Sequence, residues 1–163
     1  MANEIGRLFQ GILDIEVMET CFFVHKHKVP WYRKVAYSRI ALDIRPQKKE
    51  TRRLWLTVGG EKLFCDGPVS TPTADSNTDK LYFNSVFSIP DGECLIVYFK
   101  NIYLNNPTKK AVYYKTALKI IPQDIIDKCD LINKKIDGYI YIRVKKRMYG
   151  LVQAVIIARE SLK

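Results

Sequence analysis

Three short stretches of the chain place lysine and arginine next to one another or next to aromatic residues. They cover residues 25–34 (HKHKVPWYRK), 45–53 and 145–149. Basic side chains neutralise phosphates, and aromatic rings stack on bases or lie at the headgroup level of a membrane. The candidate polyanion-binding residues are Lys26, Lys28, Trp31, Tyr32, Arg33, Lys34, Arg45, Lys48, Lys49, Arg52, Arg53, Lys145, Lys146 and Arg147. These stretches predict binding to nucleic acid or anionic lipid, with a merely solvated charged surface as the alternative.

Residues with other chemistry are few. Cys21, His25 and His27 form a Cys-x3-His-x-His pattern that could supply three zinc ligands, but no fourth ligand and no Cys-x2-Cys pair accompany it. The serines lack the context of a nucleophile elbow, and Gly59-Gly60 lacks the Lys-Ser/Thr that follows in a P-loop. We therefore expect no enzymatic activity, no metal, no cofactor and no small-molecule substrate.

The net charge of +10 is unevenly distributed along the chain. Residues 1–19 and 54–104 each carry a net charge of −3, whereas residues 20–53 and 105–163 each carry +8. Alternating blocks of this kind indicate separate basic and acidic faces. Such a protein can attract a polyanion and also pair with copies of itself.

Length and composition predict a single globular domain over residues 1–163, since 47% of the 163 residues are hydrophobic. No apolar run approaches the roughly 18 residues of a membrane span, and the first residues do not resemble a signal peptide. The four cysteines are widely spaced, which favours free thiols. These features predict an intracellular protein that is neither secreted nor transmembrane.

Hydrophobic periodicity predicts an α+β fold, mostly antiparallel β, arranged as a sandwich or a bent sheet. A short helix is expected within residues 3–10 and a second near 123–137, where Gly138 would follow its end. A mobile loop is expected at about 66–80, which is rich in Gly, Pro, Ser, Thr and Asp. Gly59-Gly60 would turn one hairpin, and residues 145–150 would form the tip of another. The expected strands are 13–24, 36–44, 54–58, 62–64, 81–89, 94–104, 111–121, 139–144 and 151–158.

The order of these elements resembles the matrix proteins of rhabdoviruses, particularly the small ones of plant-infecting, cytorhabdovirus-like members. The resemblance rests on Cys21-Phe22-Phe23-Val24 followed by Trp31-Tyr32-Arg33-Lys34, a long loop, the strand Leu95-Ile96-Val97-Tyr98-Phe99, and a helix feeding a terminal hairpin. It implies a structural protein that condenses ribonucleoprotein, contacts anionic membrane and self-associates. The chain lacks the Lys-rich N-terminal arm and the Pro-Pro-x-Tyr motif of the animal-virus proteins, so folded basic faces would have to bind membrane.

The leading hypothesis is thus a matrix-like viral structural protein of the host cytoplasm and virion. Its partners would be further copies of itself, viral nucleocapsid or RNA, and anionic membrane. The alternative is a sequence-tolerant β-domain that binds RNA or single-stranded DNA, such as a silencing suppressor, a movement protein or a coat protein. A third possibility is a membrane-docking β-sandwich similar to a C2 domain, which would act without calcium because clustered aspartates are missing from its loops.

Overall fold

The computed structural model describes residues 2–9, 18–48, 51–63, 75–95, 97, 104, 106–151 and 154–160. The helices are α1 (Ala2–Leu8), α2 (Ser76–Ser88), α3 (Gln123–Lys128) and α4 (Ala154–Glu160). The strands are β1 (Cys21–Val24), β2 (Val35–Ile44), β3 (Arg52–Val58), β4 (Pro107–Ala117) and β5 (Tyr139–Lys146). Single 3-10 turns occur at Lys26–Lys28, Gly60–Lys62 and Leu118–Ile120.

These five strands form one mixed, curled sheet in the order β1-β5-β4-β2-β3. Three of the four neighbouring pairs are antiparallel, whereas β2 and β4 run parallel and pair only over three residues at the start of β2. The expected α+β class is confirmed. The parallel pair makes the sheet mixed, which periodicity could not reveal because the alternation of side chains is the same in both arrangements.

The core lies on one face of the sheet because side chains alternate between the two faces of each strand. On β5, Ile140, Ile142 and Val144 point to this face and are at most 1% exposed. Apolar side chains of α1 and α3 belong to the same core, among them Leu8 and Ile125. Helices α1 and α3 therefore cover one side of the curled sheet.

Helix α1 lies between the two edge strands of the sheet. Phe9 forms a parallel bridge with Cys21 at the start of β1, and the Glu4 carboxylate accepts a hydrogen bond from the Leu56 N–H of β3 at 3.3 Å. Glu4 is buried and pairs with Arg7 at 2.7 Å. The predicted N-terminal helix is confirmed. Seven residues are too few for a stable isolated helix, so packing and these bonds must hold it.

The predicted second helix is shorter than expected. It ends at Lys128, and Asp130 adopts a positive φ of 49°, which terminates the helical path. Gly138 is therefore not the residue that follows the helix. With Asp137 it forms a two-residue turn with positive φ at both positions, and Ile136 and Tyr139 exchange both backbone hydrogen bonds across it. This Asp-Gly turn starts β5.

The strand predicted at 81–89 is wrong, because residues 76–88 form helix α2. The Asp75 carboxylate caps this helix by accepting the backbone N–H groups of Asn77 and Thr78, both at 2.8 Å. The helix cap formed by Asp75 therefore outweighs the intrinsic preference of the Tyr and Phe residues in α2 for a strand. The expected loop at 66–80 consequently ends sooner, since 76–80 are helical and 66–74 lie outside the described residues.

Both predicted hairpins are wrong. After Gly59 the chain enters the 3-10 turn instead of a returning strand, and residues 154–160 are helical instead of extended. The N–H of Val58 is already bonded to the carbonyl of Tyr149, so the segment after β5 occupies the edge of β3. Residues 13–17 of the first predicted strand, Phe64, and most of the strand predicted at 94–104 lie outside the described residues.

Candidate polyanion-binding surface

The sheet face opposite the helices, here called the outer face, carries aromatic and basic side chains. Strand β5 presents Tyr139, Tyr141, Arg143 and Lys145 there, because these alternate with the buried core residues. Strand pairing places side chains of the neighbouring strands directly opposite them. The further outer-face residues of the central strands are Phe22, Val24, Val35, Tyr37, Arg39, Tyr113, Lys115 and Ala117.

The positive charge of the protein is concentrated on the sheet. The five strands contain nine Lys or Arg residues and a single acidic residue, Asp43. Strands β1, β4 and β5 contain no acidic residue at all. Side chains on the outer face of these three strands therefore create a field of one sign, which attracts anions.

Basic groups on the outer face lie over aromatic rings. Lys115 Nζ is 4.5 Å from the centroid of the Tyr139 ring, and Lys145 Nζ is 5.7 Å from that of Phe22. Lys26, in the loop after β1, reaches to 6.0 Å from the ring of Tyr141. Cation–π contacts of this kind hold the ammonium groups at the surface without neutralising them.

The loop at 25–34 places the first predicted cluster beside the outer face. Lys26, Lys28 and Lys34 are exposed, and the Trp31 side chain is 94% exposed. Tyr32 is 65% exposed and meets Trp31 edge to face, with ring centroids 5.9 Å apart. The Arg33 guanidinium lies 5.5 Å from the Tyr32 ring. The sequence interpretation of this stretch as an irregular basic loop agrees with the structure, whereas the exposure of the rings could not be inferred from the sequence.

The second predicted cluster lies at the far end of the β2–β3 hairpin. Lys48 and Arg52 are exposed, whereas Arg45 pairs with Asp43 at 3.6 Å. Arg53 lies 4.7 Å from the Trp55 ring. Lys49 lies outside the described residues. This cluster belongs to a projecting hairpin and is separated along β2 from the central strands.

The third predicted cluster is divided by the structure, because its residues do not form a hairpin tip. Lys145 is exposed on the outer face, whereas Lys146 Nζ donates to the Met18 carbonyl at 2.6 Å. Arg147 is only 5% exposed, and its Nε donates to the Pro107 carbonyl at 3.2 Å. Burial lowers the pKa of Arg147. The Arg147 side chain is therefore held inside the fold. Of the three residues, only Lys145 presents its charge on the outer face.

Sequence reasoning missed several members of this surface, among them Tyr139, Lys115 and Arg143. None of them lies in a run of basic residues. The signal was nevertheless present in YIYIRVKK, in which Tyr, Tyr, Arg and Lys alternate with Ile, Ile and Val. In a strand with one buried face, this alternation brings the polar set together on the other.

A shallow open groove adjoins the outer face at Tyr139. It has a volume of about 550 Å³ and is lined by side chains that include Ile126, Ile132, Lys119 and Lys135. The two lysines extend the basic surface beyond the end of β5. The groove thus combines apolar side chains with two lysines and one carboxylate, that of Asp137.

The Cys-x3-His-x-His residues are not brought together as a ligand set. Cys21 is fully buried, its thiol contacts Met148 Sδ at 3.0 Å and Tyr114 Oη at 3.7 Å, and burial raises its pKa to about 12. His25 and His27 stack on one another with centroids 5.2 Å apart. Within the described part of the chain, no group of three His, Cys, Asp or Glu residues is placed to hold a metal ion.

Comparison with known proteins identifies no relative: no family model, no curated protein and no solved structure matches the chain. Among the described residues, no helix has the length and apolar character needed to cross a bilayer. Function must therefore be argued from the outer face and its surroundings.

Proposed function

We propose that this protein binds single-stranded nucleic acid on the outer face of its sheet, with little sequence preference. The observation that supports this best is the juxtaposition of Arg143, Lys145 and Lys115 with aromatic rings on three strands that contain no acidic residue. The backbone of the bound strand would follow the cations. Bases would stack on the accessible rings, above all that of Trp31, and also on those of Tyr32 and Tyr139.

The exposure of the rings argues for a single strand over a duplex. Stacking requires unpaired bases, and in a duplex the base faces are already occupied. Trp31 and Tyr32 protrude from a loop that also carries Lys28 and Lys34, so phosphate and base contacts are available within a few residues. The buried rings of Tyr113 and Tyr141 would support the surface instead of stacking.

The test is a binding titration with a fluorescent 20-nucleotide oligo(U) over a series of salt concentrations. The variant Arg143→Gln/Lys145→Gln removes two outer-face charges and should weaken binding about tenfold or more, with the slope of log K against log salt reduced by about 1.4. Trp31→Ala should weaken binding by about 1–3 kcal/mol while leaving that slope unchanged, because it removes stacking and no charge.

The matched control is Lys128→Gln/Arg159→Gln, which lowers the net charge equally but changes exposed residues of α3 and α4, away from the outer face. Its salt slope and affinity should stay close to those of the wild type. Equal losses in both double variants would mean that binding follows total charge, and the outer face would no longer be the site. Tighter binding to duplex than to oligo(U) would also contradict the proposal.

The matrix-like function is a second candidate, and the exposed pair Trp31 and Tyr32 favours it. Amphipathic rings beside Arg33 and Lys34 suit the interface of an anionic membrane. The protein would then bridge ribonucleoprotein and membrane in the host cytoplasm and virion. Sedimentation with phosphatidylserine vesicles tests the matrix-like function. The wild-type protein should pellet with the vesicles, and Trp31→Ala should reduce the pelleted fraction. A wild-type protein that stays in the supernatant would contradict this function.

A further inference from the structure

Helix α2 carries several exposed apolar side chains and buries none of them against the described part of the chain. None of its residues is buried, although it carries Leu81, Tyr82, Phe83 and Phe87. Leu81 is 71% exposed and Phe87 is 80% exposed. Isolated surface hydrophobic residues are ordinary, but several of them together on one helix mark an interaction site.

A second exposed apolar surface lies on the β2–β3 hairpin. Only residues 35–37 of β2 pair with β4, so from Ser38 to Ile44 the strand pairs with β3 alone. Ile40, Leu42 and Ile44 share one face of this projecting hairpin and are 43%, 59% and 63% exposed. Leu54 lies directly opposite Leu42. We call these four residues the ribbon face.

The segments that contain the two surfaces carry opposite charge. Residues 75–95 include four acidic side chains and one basic one, a net charge of −3. Within α2 itself Asp79 and Lys80 balance, so the acidic excess lies at the two ends of the helix, in Asp75, Asp91 and Glu93. Residues 38–58, which contain the hairpin, include six basic side chains and two acidic ones, a net charge of +4. Apolar contact and charge complementarity therefore favour the same pairing. The surfaces are also similar in length, since residues 81–87 of a helix span about 9 Å and residues 40–44 of a strand about 13 Å.

We propose that α2 of one copy docks on the ribbon face of a second copy. The interface is heterologous because the two surfaces differ, so every copy offers one free helix and one free ribbon face, and assembly proceeds to a closed ring or an open chain. Apolar side chains become buried while Asp79 and its acidic neighbours approach Arg52 and the hairpin tip. The proposal does not depend on nucleic-acid binding, since neither surface includes the central outer face.

The test measures mass by sedimentation velocity from low to high micromolar concentration in the absence of nucleic acid. Wild type should rise above the monomer mass with concentration. Leu81→Ser/Phe87→Ser removes the helix surface and Leu42→Ser/Ile44→Ser removes the ribbon face, and each variant should remain monomeric. Mixed in equal amounts, the two variants should form a 1:1 dimer, because each retains the surface that the other lacks. The control Ile132→Ser alters an exposed apolar residue elsewhere and should assemble like the wild type.

Three results would overturn the proposal. A wild type that stays monomeric throughout would mean that α2 serves another partner or folds onto its own hairpin. Loss of assembly in the helix variant alone, with the ribbon variant unaffected, would indicate helix-to-helix pairing. Failure of the mixed variants to associate, with circular dichroism confirming that both are folded, would exclude a helix-to-ribbon contact.

Discussion

The central strands and helix α2 both carry large apolar side chains, but these side chains differ completely in burial. On β5, Ile140 and Val144 are fully buried between the sheet and the helices, whereas on α2 even the best-covered residues remain partly accessible. Burial of apolar surface is the main stabilising contribution to folding, so the stability of this protein must reside in the sheet and its helical cover. The apolar residues of α2 contribute little to folding and are available for contact. A hydrophobic stretch thus indicates that its side chains make contacts, but it does not show whether those contacts are within the folded chain or with a partner.

The reactivity of two cysteines would show the largest difference between these regions. Burial raises the pKa of Cys21 to about 12, so at pH 8 very little thiolate forms, whereas Cys94, beyond α2, is exposed. We expect an alkylating reagent to modify Cys94 at least about 10³-fold faster than Cys21. Peptide mass mapping over time, in native buffer and in denaturant, would check this. Equal native rates would show that the core around Cys21 opens readily.

Truncations in the two regions should differ in their effect on the free energy of unfolding. Ile142→Ala removes a side chain that is 1% exposed and should cost about 2–5 kcal/mol, because it leaves a cavity in the core. Phe87→Ala removes a larger side chain that is 80% exposed and should change stability by less than about 0.5 kcal/mol. Urea denaturation at low protein concentration measures both. A large cost for Phe87→Ala would mean that α2 packs on its own chain.

Two glycines flank β5, Gly138 directly before its first residue and Gly150 four residues after its last. Both have positive φ, so an alanine at Gly138, where nothing lies within 4 Å of the added Cβ, should cost only the backbone strain of about 1–2 kcal/mol. At Gly150 the added Cβ would meet the Val58 carbonyl oxygen and force the chain away from the β3 edge. Gly150→Ala should therefore lose more stability than Gly138→Ala in thermal unfolding. Equal losses would show that this contact is dispensable.

The smallest effect is expected at the start of α2. Hydrogen bonds from the backbone of Thr78 and Asn77 lower the pKa of Asp75, so its cap stabilises the helix above the ordinary pKa of 3.8 and is lost as the pH falls through the lowered value. Amide exchange at Asn77 and Thr78 should speed up in acid relative to Asp75→Asn, which retains an acceptor oxygen at every pH. Identical acid profiles in the two proteins would argue against this cap.

Much of the fold followed from alternation in the sequence. The strands at 36–44, 54–58, 111–121 and 139–144 correspond to β2, β3, β4 and β5 within a few residues, and the loop around Trp31 was also expected. The errors lie where local and distant interactions compete. In residues 151–158 the apolar run suits a strand or a helix, and the positions on either side of β5 that a returning strand would have taken are occupied by β1 and β4.

The candidate site, like the fold, could be predicted from the sequence only in part. Runs such as Lys145-Lys146-Arg147 are visible in the sequence, but the structure turns Lys145 outward, bonds Lys146 to the backbone and buries Arg147. Conversely, Lys115 and Arg143 lie near one another on the outer face only because β4 and β5 pair, and no local sequence pattern specifies that pairing. Strand pairing joins residues far apart in the chain, and its cost in chain entropy is recovered only when the whole core forms.

The sequence by itself therefore determined that the protein is basic, β-rich and without a recognisable catalytic set. It also determined which residues alternate on each strand, because side-chain direction follows directly from strand geometry. Only the tertiary structure decided the order of the strands, which cations share the outer face, and that α2 stands apart from the core. Those properties depend on contacts between segments that are distant in the sequence. Such contacts form only when the free energy gained by apolar burial in the whole fold exceeds the loss of chain entropy, and no local segment determines that balance.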